Sequence, residues 1–146
     1  MTRVLFFHGA SDRLQAAALW LAQSYREHQP VLVYAPDPAI AERIDRLLWT
    51  QTATGFLPHC RAEDPLAAET PLLIASHLDT LPQEERLLNL SNEIPPGFSR
   101  FTALIEIVSD ADDDRLPARD RFKFYRERGY ELKSEKFEQK LARQQA

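Results

Sequence analysis

The stretch VLFFHGASDRLQAAALWLAQSYREHQPVLVYAPDP, residues 4–38, decides the fold class. It contains an apolar run over residues 4–8, a helical pattern over about 12–28, and a second apolar run over 31–35. Asp37 and Pro38 then form a typical start for a second helix. Strand, helix, strand and helix in close succession predict a right-handed crossover and a parallel sheet.

The rest of the chain extends this pattern. Further strands are predicted over residues 72–76, 87–92 and 101–108. The sequence therefore predicts a single three-layer α/β/α domain over residues 1–132, with a mainly parallel central sheet and a Rossmann-like topology. Residues 133–146 are charged, and we expect them to form a loose helical tail, either as part of the same domain or partly disordered.

Composition restricts the location of the protein. The chain has 146 residues, 44% of them hydrophobic, which is enough for one real core. It has no run of about eighteen apolar residues to cross a membrane, and its first residues lack the pattern of a signal peptide. The single Cys60 cannot form an internal disulfide, which fits a reducing compartment. We expect a cytoplasmic protein that is a monomer when alone.

Charge is distributed unevenly. Residues 115–146 carry a balance of +5 and residues 1–114 a balance of −9, which together give the net −4 of the chain. A basic end on an acidic body favours an acidic peptide as ligand, because the body repels phosphate backbones. Strong direct binding of DNA is therefore not expected.

The stretch RLPARDRFKFYRERGYEL, residues 115–132, carries the basic end. At 100° per residue, a helix here forms one cationic stripe beside a stripe of aromatic and small residues. The cationic stripe contains Arg115, Arg119, Lys123 and Arg126, and its neighbour contains Ala118, Phe122, Tyr125 and Gly129. Such a surface suits a ligand with carboxylates and an apolar group. The alternative is an ordinary amphipathic helix, with Phe122 and Tyr125 in the core and the cations in solvent.

A second candidate surface surrounds Trp49. On the predicted helix over about 38–50, Trp49 lies about 180° from Ile40, which belongs to the core stripe. It is therefore predicted to face away from the sheet, and the segment TGFLPHC, residues 54–60, to turn outward after it. A tryptophan in this position can anchor an interface. The alternative is that Trp49 covers the end of the sheet.

Motifs of nucleotide chemistry are missing from the sequence. Only Gly9 follows the first strand, and no Gly-Lys-Ser/Thr ending occurs, so neither a dinucleotide fingerprint nor a phosphate loop is present. The four histidines share no metal-ligand spacing. We expect no catalytic residue, no cofactor and no metal. The alternative is a small nucleotide- or phosphate-handling α/β enzyme that uses the basic helix over 115–126, with His8 or His77 as acid or base.

Two segments resemble a known family. ARDRFKFYRERGYEL (118–132) and LLWTQTATGFLPH (47–59) are similar to motifs of the chi subunit of bacterial DNA polymerase III. The resemblance implies a clamp-loader accessory protein without a known active site, which binds the acidic, phenylalanine-ended tail of single-stranded-DNA-binding protein. Arg115 stands where the family more often has a lysine, and Phe124 where it has a small residue.

The resemblance also implies two binding sites. The site for the tail would be formed by Val108, Arg115, Arg119, Phe122, Lys123, Tyr125 and Arg126. The site for the psi subunit of the clamp loader would be formed by Trp49, Phe56, Leu57 and Pro58. Psi is not found in every bacterium with chi, so a substitute partner such as a repair helicase could use the second site.

Overall fold

The computed structural model describes residues 1–50, 57–79 and 83–137. Over these residues the chain alternates between strands and helices. The strands are β1 (Arg3–Ala10), β2 (Val31–Tyr34), β3 (His59–Arg61), β4 (Leu72–Ala75), β5 (Arg86–Asn89), β6 (Ala103–Ser109) and β7 (Glu131–Lys136). The helices are α1 (Arg13–Arg26), α2 (Pro38–Thr50) and α3 (Asp112–Glu127), and two short 3-10 turns cover Ala67–Glu69 and Phe98–Arg100.

The strands form one sheet in the order β3-β4-β2-β5-β6-β1-β7. Every neighbouring pair is parallel. Helices α1 and α2 pack on one face through residues such as Leu21 and Ile44, and α3 packs on the other through Ala118 and Tyr125. The predicted three-layer α/β/α domain with a mainly parallel sheet is confirmed.

The central strands are buried on both faces, which explains their continuous apolar runs. All four residues of β2 and of β4 are buried, and all seven of β6. Glu106, in the middle of β6, is the one charged residue of this buried strand, and its carboxylate is completely enclosed.

Carboxylates stabilise the starts of the first two helices, and the sequence predicts this for the second. The Asp12 side chain accepts a hydrogen bond from the backbone N–H of Gln15 at 2.9 Å, and Asp37 accepts one from Ala39 at 2.9 Å. Each bond satisfies a backbone donor that has no partner within its helix. Both helices therefore begin within a residue of where the sequence places them.

Strand β7 corrects the prediction for the end of the chain. The loose helix expected after residue 132 is wrong as far as Lys136, because these residues pair in parallel with β1, from Arg3 opposite Glu131 to His8 opposite Lys136. The sequence signal was weak, since the side chains of an edge strand are mostly exposed and charged. Phe137 then packs against Phe7, with ring centroids 6.1 Å apart. Residues 138–146 lie outside the described residues.

Strand β3 is the other element that the sequence did not predict. It has only three residues, and it pairs with β4 at the opposite edge of the sheet. A strand this short offers too few residues for a periodic pattern to emerge.

In the described ranges, no helix combines the length and the hydropathy needed to cross a membrane.

Candidate protein-binding surfaces

Helix α3 presents the predicted row of cations to solvent. We call this the basic surface, and it consists of Arg115, Arg119, Phe122, Lys123 and Arg126. The four cations are exposed and Phe122 is half-buried, while Ala118 and Tyr125 on the inner side are buried. The helical spacing thus predicted correctly which residues share the outer stripe.

Phe122 connects the basic surface to the core. Its ring lies edge-on to Phe6, with centroids 5.1 Å apart. The Arg126 guanidinium lies over the Phe122 ring, with its central carbon 5.9 Å from the ring centroid. Val108, only 5% exposed, belongs to the apolar cluster against which Phe122 packs. The partly exposed ring of Phe122 therefore lies beside positively charged side chains.

Two of the four cations have carboxylate neighbours on their own helix. Arg115 contacts Asp112 at 2.5 Å, and Lys123 lies 4.0 Å from Glu127. All four side chains are well exposed, so solvent weakens these pairs. Arg119 and Arg126 form no ion pair with any described residue. Their planar guanidinium groups are thus available for two-point contacts with a carboxylate.

Tyr125 does not belong to the basic surface. It is completely buried, and its hydroxyl donates a hydrogen bond to Glu106 at 2.8 Å. Burial and the neighbouring Glu106 carboxylate raise the pKa of Tyr125 above its ordinary value. The side chain is enclosed between α3 and the sheet, so Tyr125 offers no exposed surface to a ligand in this structure, and its contact with the ligand stays a prediction. The alternative, a core position, holds for Tyr125.

A buried polar cluster, missed by the sequence analysis, lies beneath the basic surface. The Glu106 carboxylate accepts bonds from Arg121 Nε at 3.0 Å and Nη2 at 3.1 Å, and from Asn89 Nδ2 at 3.0 Å. Arg121 is only 3% exposed. A glutamate inside the apolar run FTALIEIV was the available signal, since a buried carboxylate requires a donor. Arg121, four residues before Tyr125, shares its face of α3.

The second candidate surface is smaller than predicted. Trp49 is 52% exposed, so the prediction that it faces away from the core is confirmed. Leu57 is 5% exposed and packs in the core, and its N–H donates to the Leu48 carbonyl at 3.0 Å. Leu57 is therefore not part of the exposed surface, and its contact with a partner stays a prediction. Pro58 is half-buried, and Phe56 lies outside the described residues. We call Trp49 and Pro58 the apolar surface.

A crevice of about 730 Å³ opens at the carboxyl ends of the central strands, where α/β enzymes bind nucleotides. The N-terminal ends of all three helices line it, and they bring carboxylates with them, including Asp12, Asp37 and Asp114. At the base of the crevice, the Arg13 side chain is already hydrogen-bonded to the protein. Its Nη2 donates to the carbonyls of Asn89 at 3.1 Å and of Ser91 at 2.9 Å. Negative charge at these helix ends disfavours a phosphate.

The histidines of the enzyme alternative are not brought together. His8 lies on β1 and His77 follows β4, and three strands stand between β1 and β4 in the sheet. Four spacings between neighbouring strands place them about 19 Å apart. Among the described residues, no group of three His, Cys, Asp or Glu side chains is arranged to hold a metal ion.

Comparison with known proteins agrees with the two quoted motifs. The family model described as "DNA polymerase III chi subunit, HolC" matches residues 1–133. The chain belongs to this family. The match covers every strand up to β7, so the chi family accounts for the whole sheet except the last residues of its edge strand.

Individual chi proteins are similar over most of their length. The DNA polymerase III subunit chi of Pseudomonas aeruginosa is 33% identical over 136 residues, which cover 90% of this chain and 94% of that protein. The subunit of Haemophilus influenzae is 31% identical over 82% of this chain and 81% of its own. That of Escherichia coli is 29% identical over 76% of each.

Proposed function

We propose that this chain links the clamp loader of DNA polymerase III to single-stranded-DNA-binding protein by binding its acidic C-terminal tail. The observations that carry the proposal are the guanidinium groups of Arg119 and Arg126, which form no ion pair with a described residue, and the half-buried ring of Phe122 beside Arg126. Membership of the chi family supports it, since the relatives are named as subunits of that polymerase.

The proposed binding mode follows from the chemistry of the basic surface. Aspartates and the terminal carboxylate of the tail would meet Arg119, Lys123 and Arg126, and the arginines would grip a carboxylate at two points. The final phenylalanine ring would pack on Phe122, near Val108. The acidic and aromatic groups at the end of the tail would thus contact complementary side chains within about two turns of α3.

We assign the apolar surface to a second protein partner, the psi subunit or a substitute such as a repair helicase. Trp49 supports this assignment, because a half-exposed tryptophan at the end of a helix is a frequent interface anchor. Trp49 lies on α2 and the basic surface on α3, on opposite faces of the sheet. Both partners could therefore bind at the same time, as bridging requires.

Titration with a labelled acidic peptide that ends in phenylalanine tests the proposal. Charge-assisted hydrogen bonds contribute roughly 1.5–3 kcal/mol each, so Arg119→Ala should weaken binding about ten-fold or more. Arg119→Lys should also weaken it, because the charge remains while the planar fork is lost. Arg26→Ala is the matched control, since Arg26 is an exposed arginine of α1, on the other face of the sheet.

Equal affinity of the peptide for wild type and Arg119→Ala would show that the basic surface is not the tail site. A thermal-shift series with nucleotides addresses the enzyme alternative in the same samples. A nucleotide-binding enzyme would be stabilised by mass action, whereas a bridging protein should respond to the peptide alone.

A further inference from the structure

The side chain of His59 is buried, and its two ring nitrogens both face acceptors. Nδ1 lies 2.5 Å from the Leu57 carbonyl oxygen, and Nε2 lies 2.8 Å from Asp45 Oδ1. The side chain is only 1% exposed. A carbonyl and a carboxylate accept hydrogen bonds but donate none, and a neutral imidazole has a single N–H. With Asp45 ionised, both contacts are hydrogen bonds only if the ring is an imidazolium, with a proton on each nitrogen.

The ring also supports the exposed tryptophan of the apolar surface. The centroids of Trp49 and His59 are 5.5 Å apart, and the ring planes meet at 70°. Asp45 and Trp49 are four residues apart on α2 and so share one face of that helix. His59 therefore touches Trp49 while it is bonded to the carboxylate one turn earlier on the same helix.

We infer that His59 is a positioning residue, which in its doubly protonated form fixes the Trp49 ring at the surface for a protein partner. That His59 positions Trp49 is inferred from these contacts alone. Its effect on partner affinity rests on the proposed function. In both respects the consequence is a dependence on pH, because one proton decides whether both hydrogen bonds exist.

The described charges around the ring set the direction of that dependence. Asp45 faces it from α2, Arg61 is the next side chain on the same face of β3, and β4 presents the apolar Leu72 opposite His59. When pH rises and the ring loses one proton, a nitrogen lone pair points at an acceptor oxygen and repels it. The link between β3 and α2 weakens, and with it the contact through which His59 orients the Trp49 ring. Partner affinity should fall as pH rises.

Nuclear magnetic resonance of the isolated protein tests the hold on Trp49. The ring nitrogens of His59 and the indole N–H of Trp49 are followed through a pH titration of wild type, His59→Gln, Asp45→Asn and His77→Gln. The last is a matched control, because His77 lies 3.5 Å from Asp79 in a pair whose side chains are 61% and 92% exposed. In wild type and in His77→Gln, the Trp49 signal should change together with His59 deprotonation.

The coupled change should be absent in His59→Gln, and in Asp45→Asn the two transitions should shift together, since one proton governs both. The inference is overturned if the wild-type ring carries one proton at every pH at which the protein is folded. It is equally overturned if the Trp49 signal ignores the titration of His59. Circular dichroism of each variant shows whether it is folded, and the wild-type titration decides the question if a variant is not.

Affinity for purified psi subunit tests the effect on binding. His59→Gln should weaken psi binding about ten-fold, the change expected from mispositioning an aromatic anchor without removing it, and His77→Gln should not. Equal binding of psi to wild type and His59→Gln at every pH overturns the role in partner binding. Failure of psi to bind wild type contradicts the proposed use of the apolar surface, while the resonance experiment still decides whether His59 holds Trp49.

Discussion

Arg121 of α3 and Glu106 of β6 form a two-point ion pair between the helix and the sheet, with distances of 3.0 and 3.1 Å. Neither side chain is more than 3% exposed. The pair lies under the basic surface, so it fixes which face of α3 is turned to solvent. Arg119 and Lys123, two positions on either side of Arg121, consequently point outward.

Removal of one partner of this pair should destabilise the fold strongly. Arg121→Met leaves the Glu106 carboxylate buried without its charged donor, and we expect a loss of about 3–5 kcal/mol in the free energy of unfolding. Urea denaturation measures the loss. Arg119→Met is the matched control on the exposed face and should change stability by less than about 0.5 kcal/mol. Similar stability of the two variants would contradict a buried pair.

Tyr125 should make stability depend on pH at the alkaline end. Burial and Glu106 raise the pKa of Tyr125 in the folded state, while the unfolded value stays near the ordinary ~10. Below pH ~10 both states keep the proton, and the stabilisation is fully present. Above it the unfolded state loses the proton first, so stability should fall by about 1.4 kcal/mol per pH unit.

Urea midpoints between about pH 8 and 11 measure this effect in wild type, Tyr125→Phe and Tyr130→Phe. The Tyr125→Phe variant should lose most of the alkaline dependence. Tyr130→Phe is the control, because Tyr130 is half-buried and packs against Phe98 rather than a carboxylate. An unchanged slope in Tyr125→Phe would assign the dependence to other groups.

Varying the salt concentration should distinguish the electrostatic contribution to peptide binding from the aromatic contribution. Attraction between exposed charges is screened beyond about 10 Å at 0.1 M salt, so wild-type affinity should fall as salt rises. Phe122→Ala removes the aromatic contact and should weaken binding by a similar factor at every salt concentration. Fluorescence anisotropy at two salt levels measures both effects. A Phe122→Ala variant with normal affinity would remove the ring from the proposed site.

Trp49→Ala should affect partner binding more than folding. The side chain is half-exposed, so its truncation should cost the isolated protein about 1 kcal/mol or less, whereas a central interface tryptophan contributes about 2 kcal/mol or more to binding. Calorimetric titration with psi and thermal unfolding measure the two quantities. Leu57→Ala is the contrasting variant, because Leu57 is buried and should mainly lose stability.

The sequence predicted the elements whose side chains repeat with a clear period. Helix α2 begins and ends at the predicted residues, and Trp49 faces solvent because its angle from Ile40 follows from helix geometry alone. The outer stripe of α3 was correct for the same reason. Residue spacing along the chain is sufficient to predict which side chains face solvent when that depends on a single helix.

The features that were missed depend on contacts between distant parts of the chain. Strand β7 is held by β1, more than 120 residues earlier, and its own residues carry almost no apolar signal. The helical pattern left open whether Tyr125 lies in the core or on the basic surface, and it could not show that Glu106 of β6 accepts a hydrogen bond from the buried hydroxyl. Leu57 follows the same rule, since its burial is set by the return of the chain to α2.

The position of β1 in the sheet also has a consequence for synthesis on the ribosome. The strand formed by Arg3–Ala10 is made first, yet its two neighbours are β6 and β7, which are made late. During most of translation, apolar residues such as Phe6 and Phe7 have no strand beside them. A chain that stops before Glu131 would leave β1 as an open edge, a known template for aggregation. All the other described strands of the sheet must be translated before β1 has a neighbour on both sides.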